Sequence, residues 1–270
     1  MTAELGDRRG RAASLHVLAM IEHEQSNPDE ARRLLRESIA LTAELGDRRV
    51  RAASLHQLAI IEHAQGDPAE ARRLLRESIA VEEELGDREG RATSLHQLAI
   101  IEHDQSNPAE ARRLLRESIA VTAELGDRRG RAASLHQLAI IEHDQSNPAE
   151  ARRLLGESIA AFEELGDRRD RAASLHVLAM IEQEQGNPAE ARRLLKESIE
   201  ILKVIRDLDG MATSLAMLAQ LNALEGRFEE AVAQGQEAVG LLGGTGSFKA
   251  AMAREVLRAI EARAARGPGA

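Results

Sequence analysis

An aspartate returns every 40 residues along this chain, at Asp7, Asp47, Asp87, Asp127 and Asp167, each inside a Gly-Asp-Arg triplet. A fixed period of this length excludes one conventional core. Each unit is a single supersecondary element that buries its apolar face only by stacking on its neighbours. The copies are nearly identical. The 40-residue units from Asp87 and from Asp127 differ only at Glu89/Arg129, Thr93/Ala133, Arg116/Gly156, Val121/Ala161, Thr122/Phe162 and Ala123/Glu163. Such similarity implies recent duplication or deliberate construction. The pattern decays after Glu200, stays legible to about Gly246, and gives way to an amphipathic segment from Phe248 to about Ala264.

Within one unit the apolar spacing predicts two helices. The first starts at an Asp N-cap such as Asp127 and carries Ala132, Leu135, Leu138, Ala139 and Ile141 on one face. It stops near Ser146-Asn147-Pro148, where Asn147 is expected to cap the next helix, with Pro148 in its first turn and Glu150 completing a capping box. The second helix places Ala151, Leu154, Leu155 and Ile159 on its buried face and ends near Gly166. The expected organisation is a repeat array over 1–246, with units from about residues 7, 47, 87, 127, 167 and 207. A C-terminal capping helix over 247–264 and a disordered tail over 265–270 follow.

Composition narrows the function classes. Aromatic residues make up only 1% and Tyr and Trp are absent, so the apolar content is Leu, Ala, Ile and Val among strong helix formers. A net charge of −9 argues against a nucleic-acid binder, which needs a basic face. Cysteine is absent, which removes disulfide and thiol chemistry. No apolar run is long enough to span a membrane and the first residues do not read as a secretion signal. Arg far exceeds Lys, which occurs only at Lys196, Lys203 and Lys249, a skew that suggests a GC-rich bacterial genome. A soluble cytoplasmic protein is expected.

The segment Gly66-Asp67-Pro68-Ala69-Glu70-Ala71, preceded by Leu58-Ala59 and followed by Leu75, resembles the tetratricopeptide repeat (TPR). The 40-residue period with an "ELGDRRG" link is similar to the longer bacterial variety of that repeat. The resemblance covers nearly the whole chain. It departs where Ala59 replaces the usual Gly, Pro68 an aromatic and Ser78 a later Ala, while Phe228 restores the aromatic in the divergent sixth unit. It implies an all-α, right-handed TPR-like solenoid of about six helical hairpins plus a terminal helix. It also implies a protein or peptide partner held along a concave inner wall.

The histidines test that implication. "LHQLAIIEH" spans Leu55 to His63 and recurs from Leu95 and Leu135. With Leu55 at the centre of the core face, His56 and His63 fall about 100° and 80° away, on one flank. The resemblance places this flank on the inner wall. The wall then consists of His16, Met20 and His23, followed by His56, Ile60 and His63, and by His96, Ile100 and His103. It continues with His136, Ile140 and His143 and ends at His176 and Met180, with Gln183 beside them. The sixth unit breaks the row with Ala216, Gln220 and Ala223. Glu24, Asp104, Asp144 and Glu184 add acid at the edge. Histidines seven apart on a helix lie about 10 Å apart along its axis, too far to share one metal ion directly. No metal or cofactor is therefore expected. A copied polar wall and a working groove both remain open. Protonating all nine histidines would bring the charge from −9 to 0, so pH-sensitive binding or solubility near pH 6 is expected.

Glu62, repeated as Glu22, Glu102, Glu142 and Glu182, falls inside the apolar face and needs a partner, for which Arg72, Arg73 or a turn amide is expected. Arg triplets such as Arg128, Arg129 and Arg131 read as solvated turns complementing a helix C-terminus rather than as a phosphate site. "GLLGGTG" at Gly240–Gly246 lacks the Lys-Ser/Thr of a P-loop, and every Ser and His recurs with the period, so no active site is expected. Thr2 to Asp7 spells the tail of a second helix. The first complete helix, with Leu15, Leu18 and Ile21, would lack cover on one side. That makes homo-oligomerisation through this face, in a structural spacer or self-assembling module, the alternative to peptide binding. The last segment, with Val256, Leu257 and Ile260 inward and Arg254, Arg258, Glu261 and Arg263 outward, reads as a cap.

Overall fold

A computed structural model describes residues 2–243 and 248–266, and among these it holds thirteen helices and no strand. They alternate in pairs. The pairs are α1 (Thr2–Glu24) with α2 (Pro28–Leu45), α3 (Arg48–Ala64) with α4 (Pro68–Leu85), and α5 (Arg88–Asp104) with α6 (Pro108–Leu125). There follow α7 (Arg128–Asp144) with α8 (Pro148–Leu165), α9 (Arg168–Glu184) with α10 (Pro188–Ile205), and α11 (Leu208–Leu224) with α12 (Phe228–Leu241), then α13 (Phe248–Arg266). The chain is thus an all-α TPR-like solenoid of helical pairs. It forms two compact units, Met1–Ile141 and Glu142–Ala270. In the first, α1, α3 and α5 each pack on their own second helix, and α2 and α4 pack on the first helix that follows. In the second, α9 pairs with α10 and α11 with α12, while α13 rests on both α11 and α12.

The repeat boundaries follow local chemistry. Asp47, Asp87, Asp127, Asp167 and Asp207 each accept a hydrogen bond from the backbone N–H three residues on, which caps the first helix. The first five second helices start with Pro, which has no N–H to leave unpaired. Four of them end on Gly in the left-handed region, such as Gly166 at φ 69°. In the fifth link Arg206 takes that place at φ 58°.

The core is the face read from the sequence. Leu55, Leu58, Ala59 and Ile61, and Ala151, Leu154 and Leu155, are all buried. At the C-terminal end Ile260 is buried, Val256 and Leu257 are half-buried, and Arg254, Arg258, Glu261 and Arg263 face water. The tail expected to be disordered lies outside the described residues from 267 onward, and α13 runs on to Arg266.

Three local expectations are corrected. Helix α1 is continuous from Thr2 through Asp7 to Glu24, so Gly6-Asp7 does not end a second helix. Elsewhere the same pair sits at the end of a second helix closed by residues such as buried Thr42 and Phe162, and a Gly-Asp pair alone does not stop a helix. Asn147 does not cap α8. Its side-chain amide donates instead to Glu142 Oε2 at 2.8 Å, because a buried carboxylate is the stronger acceptor need to meet. Only Asp67, a carboxylate with no proton to give, caps in the expected way among these turns, accepting from Glu70 N at 3.0 Å. The arginine triplets are solvated only in part: Arg128 and Arg129 are exposed as expected, whereas Arg131 is half-buried. Arg51 pairs with Glu77 at 2.5 Å, Arg171 with Glu197 at 2.6 Å and Arg48 with Glu84 at 2.8 Å, stitching α3 to α4 and α9 to α10.

Candidate functional site

The wall residues are presented by the first helix of each pair. Those helices lie side by side within each unit, α1 by α3 and α3 by α5, α9 by α11 and α11 by α13. His16, His56, His96 and His176 are half-buried, and each places Nδ1 against the hydroxyl of a buried serine in the next first helix. The distances are 3.1 Å to Ser54, 3.0 Å to Ser94, 3.1 Å to Ser134 and 3.2 Å to Ser214. His136 is half-buried as well. A second set of buried serines lies on the second helices, where Ser78 replaces an alanine: its hydroxyl donates to the Ala52 carbonyl at 2.9 Å, and Ser38, Ser118 and Ser198 donate likewise to Ala12, Ala92 and Ala172.

This burial overturns the expectation that all nine histidines titrate near pH 6. Burial lowers the pKa of His16, His56 and His176, and takes His96 and His136 down to about 4, helped by His56 beside His96 and by His96 beside His136. The second histidine row meets carboxylates. His63 Nε2 lies 3.0 Å from Asp104 Oδ2 and His143 Nε2 lies 3.2 Å from Glu184 Oε2. Asp104 and Glu184 therefore do not form a free acidic edge; they face histidines. His23 and His103 are half-buried at equivalent positions, as are Ile60, Ile100 and Ile140, whereas Met20 is exposed.

One cluster superficially has the groups of a nucleophilic site. Ser94 Oγ donates to Glu82 Oε1 at 2.9 Å and contacts His56 Nδ1. Yet Ser94 is 0% exposed, and Glu82, at 4%, has its pKa raised by burial against the opposing pull of Ser78 and Ser94. No substrate reaches that hydroxyl. The same His–Ser contact recurs at His16, His96 and His176, which is the pattern of packing rather than of one reactive centre.

The repeated buried carboxylate has partners other than those expected. Glu62 is bound by Arg32 and Arg36 of the preceding hairpin, at 2.9 and 2.8 Å, and not by Arg72 or Arg73. Arg72 instead joins Arg76 on Glu102. Arg73 bridges Glu70 and Glu77 along its own helix. The turn amide is present too, with Asn107 on Glu102 at 3.0 Å and Asn187 on Glu182 at 2.7 Å.

In the second unit the wall opens into a cavity of about 600 Å³ between α9, α11 and α13. Met180, Met217 and Met252 supply its apolar lining, one from each helix, with Ala212, Ala216, Ala253 and Val256 between them. His176, Gln183, Glu184, Thr213, Gln220 and Lys249 form the polar part. Ala216 stands where the earlier units carry histidine. The break in the histidine row is thus an opening in the wall, because a methyl leaves room an imidazole would fill. Leu15 is half-buried on α1, and Leu18 and Ile21 are 43% and 42% exposed.

Comparison with known proteins places this geometry. The tetratricopeptide repeat model matches residues 10–84, 50–124, 90–164, 130–204 and 170–242 in overlapping copies. No curated protein matches the chain. Among solved structures, a Podospora anserina putative kinesin light chain with nearly identical TPR-like repeats shares 30% identity, over 73% of this chain and 97% of that one, with TM-score 0.59. The fold alone is shared with the TPR sensor of a STAND signal-transduction ATPase from Pyrococcus horikoshii, at 16% identity and TM-score 0.75 over 92% of this chain and 38% of that one. It is shared likewise with the apo form of RapI, at 13% identity and TM-score 0.70 over 95% and 99%. Among the described residues no helix is long and apolar enough to cross a membrane, and no group of three His, Asp or Glu side chains is gathered to hold a metal ion.

Proposed function

The chain belongs to the tetratricopeptide repeat family, typically protein–protein interaction scaffolds, and from that premise we propose that it is a non-enzymatic scaffold whose inner wall holds a partner's peptide segment. The observation that carries this reading is the cavity between α9, α11 and α13. A site of about 600 Å³ lined by three methionines and five small or branched apolar residues suits an apolar side-chain anchor. Methionine adapts its shape to the anchor it receives. Gln183, Thr213 and Gln220 in its lining offer hydrogen-bonding groups to the flanking backbone or side chains. The first histidine row of the wall, its pKa values lowered by burial, acts as rigid surface rather than as ligands or acid–base groups, and the partner is held by shape without chemistry. Arginine-rich, cysteine-free composition supports a cytoplasmic, bacterial setting for this work.

The test is selection of peptides from a displayed library on the intact chain, followed by calorimetry with the winners. The reading expects peptides with a large apolar anchor, and loss of affinity by about tenfold or more when Met217 is replaced by Glu, since a charge placed in an apolar pocket is strongly disfavoured. Unchanged helical content and melting in Met217→Glu would confirm that only the site was altered. Failure to select any peptide, or indifference of binding to Met217→Glu, would refute the reading.

A further inference from the structure

Helix α1 carries a socket whose filling is displayed elsewhere in the chain. On α3, Leu58 and Ile61 are 2% and 0% exposed beneath α2; their equivalents on α1, Leu18 and Ile21, are 43% and 42% exposed, with Val17 and Met20 exposed beside them. The carboxylates tell the same story. Glu62 is closed by Arg32 and Arg36, Glu102 by Arg72 and Arg76, and Glu182 by Arg152, always from the second helix of the preceding pair. Glu22 is their equivalent on α1, and among the described residues its hydrogen-bond partner is the Asn27 side-chain amide at 2.9 Å. An apolar pair one turn from a carboxylate is thus presented open on α1 and filled on α3, α5 and α9. The filling helix spells Arg-Arg-Leu-Leu-Arg on α2 and α4, with arginines four residues apart on either side of a leucine pair.

We propose that the open face of α1 docks an amphipathic protein helix of the pattern Arg-x-Leu-Leu-Arg. Its leucine pair covers Leu18 and Ile21, and its two arginines close on Glu22. A second copy of the chain does not offer this helix. Arg32 and Arg36, and Arg72 and Arg76, are already engaged by Glu62 and Glu102. Helix α13 carries exposed Arg254 and Arg258 at the same spacing, but its Leu257 is turned onto Gly235 of α12 and Val256 packs in the core beside Phe228. This surface is separate from the cavity that carries the proposed function, and either can fail alone.

The experiment adds a labelled synthetic peptide with the sequence of Pro28–Leu45 to the full chain and follows fluorescence anisotropy. Saturable one-site binding is expected. Glu22→Arg in the protein should weaken it about tenfold or more, as removal of a charge partner does, and Leu18→Glu should do the same. A peptide carrying Arg32→Glu and Arg36→Glu should bind Glu22→Arg better than wild type. That reversal is the decisive arm, because a protein merely unfolded at α1 would bind neither peptide. No binding to the wild-type chain, binding indifferent to both substitutions, or self-association that the peptide does not compete would overturn the proposal, the last in favour of a second copy.

Discussion

Arg76 of α4 places Nη2 3.1 Å from Oε1 of Glu102, a carboxylate on α5 that is 1% exposed. The arginine belongs to the pair before, so this contact fixes the stacking of one hairpin on the next rather than the angle within either. Burying a carboxylate without a partner is costly, and Arg76, Arg72 and Asn107 together supply its partners.

Replacing both Arg72 and Arg76 by Ala is therefore expected to destabilise the array by about 3 kcal/mol, because a buried charge is left uncompensated. Glu102→Leu should cost much less, since removing the charge also removes its desolvation penalty. Urea unfolding of the two variants beside wild type measures the contrast. Equal losses would show that the pair contributes through something other than this charge balance.

Acid should loosen the first histidine row. His96 and His136 have folded pKa values of about 4 against an ordinary 6.5, so the unfolded chain takes up their protons first as pH falls. Their contribution to stability is whole above about pH 6.5 and is lost progressively between there and pH 4. A gap of this size amounts to on the order of 3 kcal/mol per histidine at the acid end. Melting followed by circular dichroism from pH 7 to pH 4 should fall, and His96→Gln together with His136→Gln should flatten the fall.

Glu82 predicts the opposite slope. It sits buried where the other copies carry Thr42, Thr122 and Phe162, and burial raises its pKa. Stability linked to it is present at low pH and lost as pH rises through the raised value. Glu82→Thr should therefore stabilise the chain at pH 7 and do so less at pH 4, read from the same melts.

Arg206 holds φ at 58°, where four other links use glycine. A side chain in the left-handed region costs about 1 kcal/mol, so Arg206→Gly should raise stability by up to that amount. A drop in the denaturation midpoint would mean that the Arg206 side chain contributes more than its backbone costs.

Much of this was legible in the sequence because duplication repeats every signal. The period, the helical pairs, the Asp caps and the face bearing Leu55, Leu58 and Ile61 all follow from residue spacing. What was not legible crosses repeat boundaries. Copies of Arg72 precede and follow every buried glutamate in sequence, so spacing alone could not tell that Glu62 takes Arg32 and Arg36 while Arg72 goes to Glu102. Near-identical copies hide which neighbour is used. The choice of Asn147 between capping α8 and serving Glu142 turns on burial, which a helical wheel suggests for Glu142 but cannot weigh. Ala216 misled for a related reason. Loss of a wall residue reads as the end of a surface, and only the placement of α13 turns the missing side chain into a cavity.

In the proposed function a partner's apolar anchor enters between Met180, Met217 and Met252. The most direct measurement is an NMR titration of the chain labelled at its methionine methyl groups, with a peptide selected on the wild-type protein. The methyl signals of Met180, Met217 and Met252 are expected to shift together and saturate at one stoichiometry, while buried Met211 and Met20 of the first unit stay in place. Shifts confined to Met20, or a bound peptide that moves none of the three cavity methionines, would contradict it.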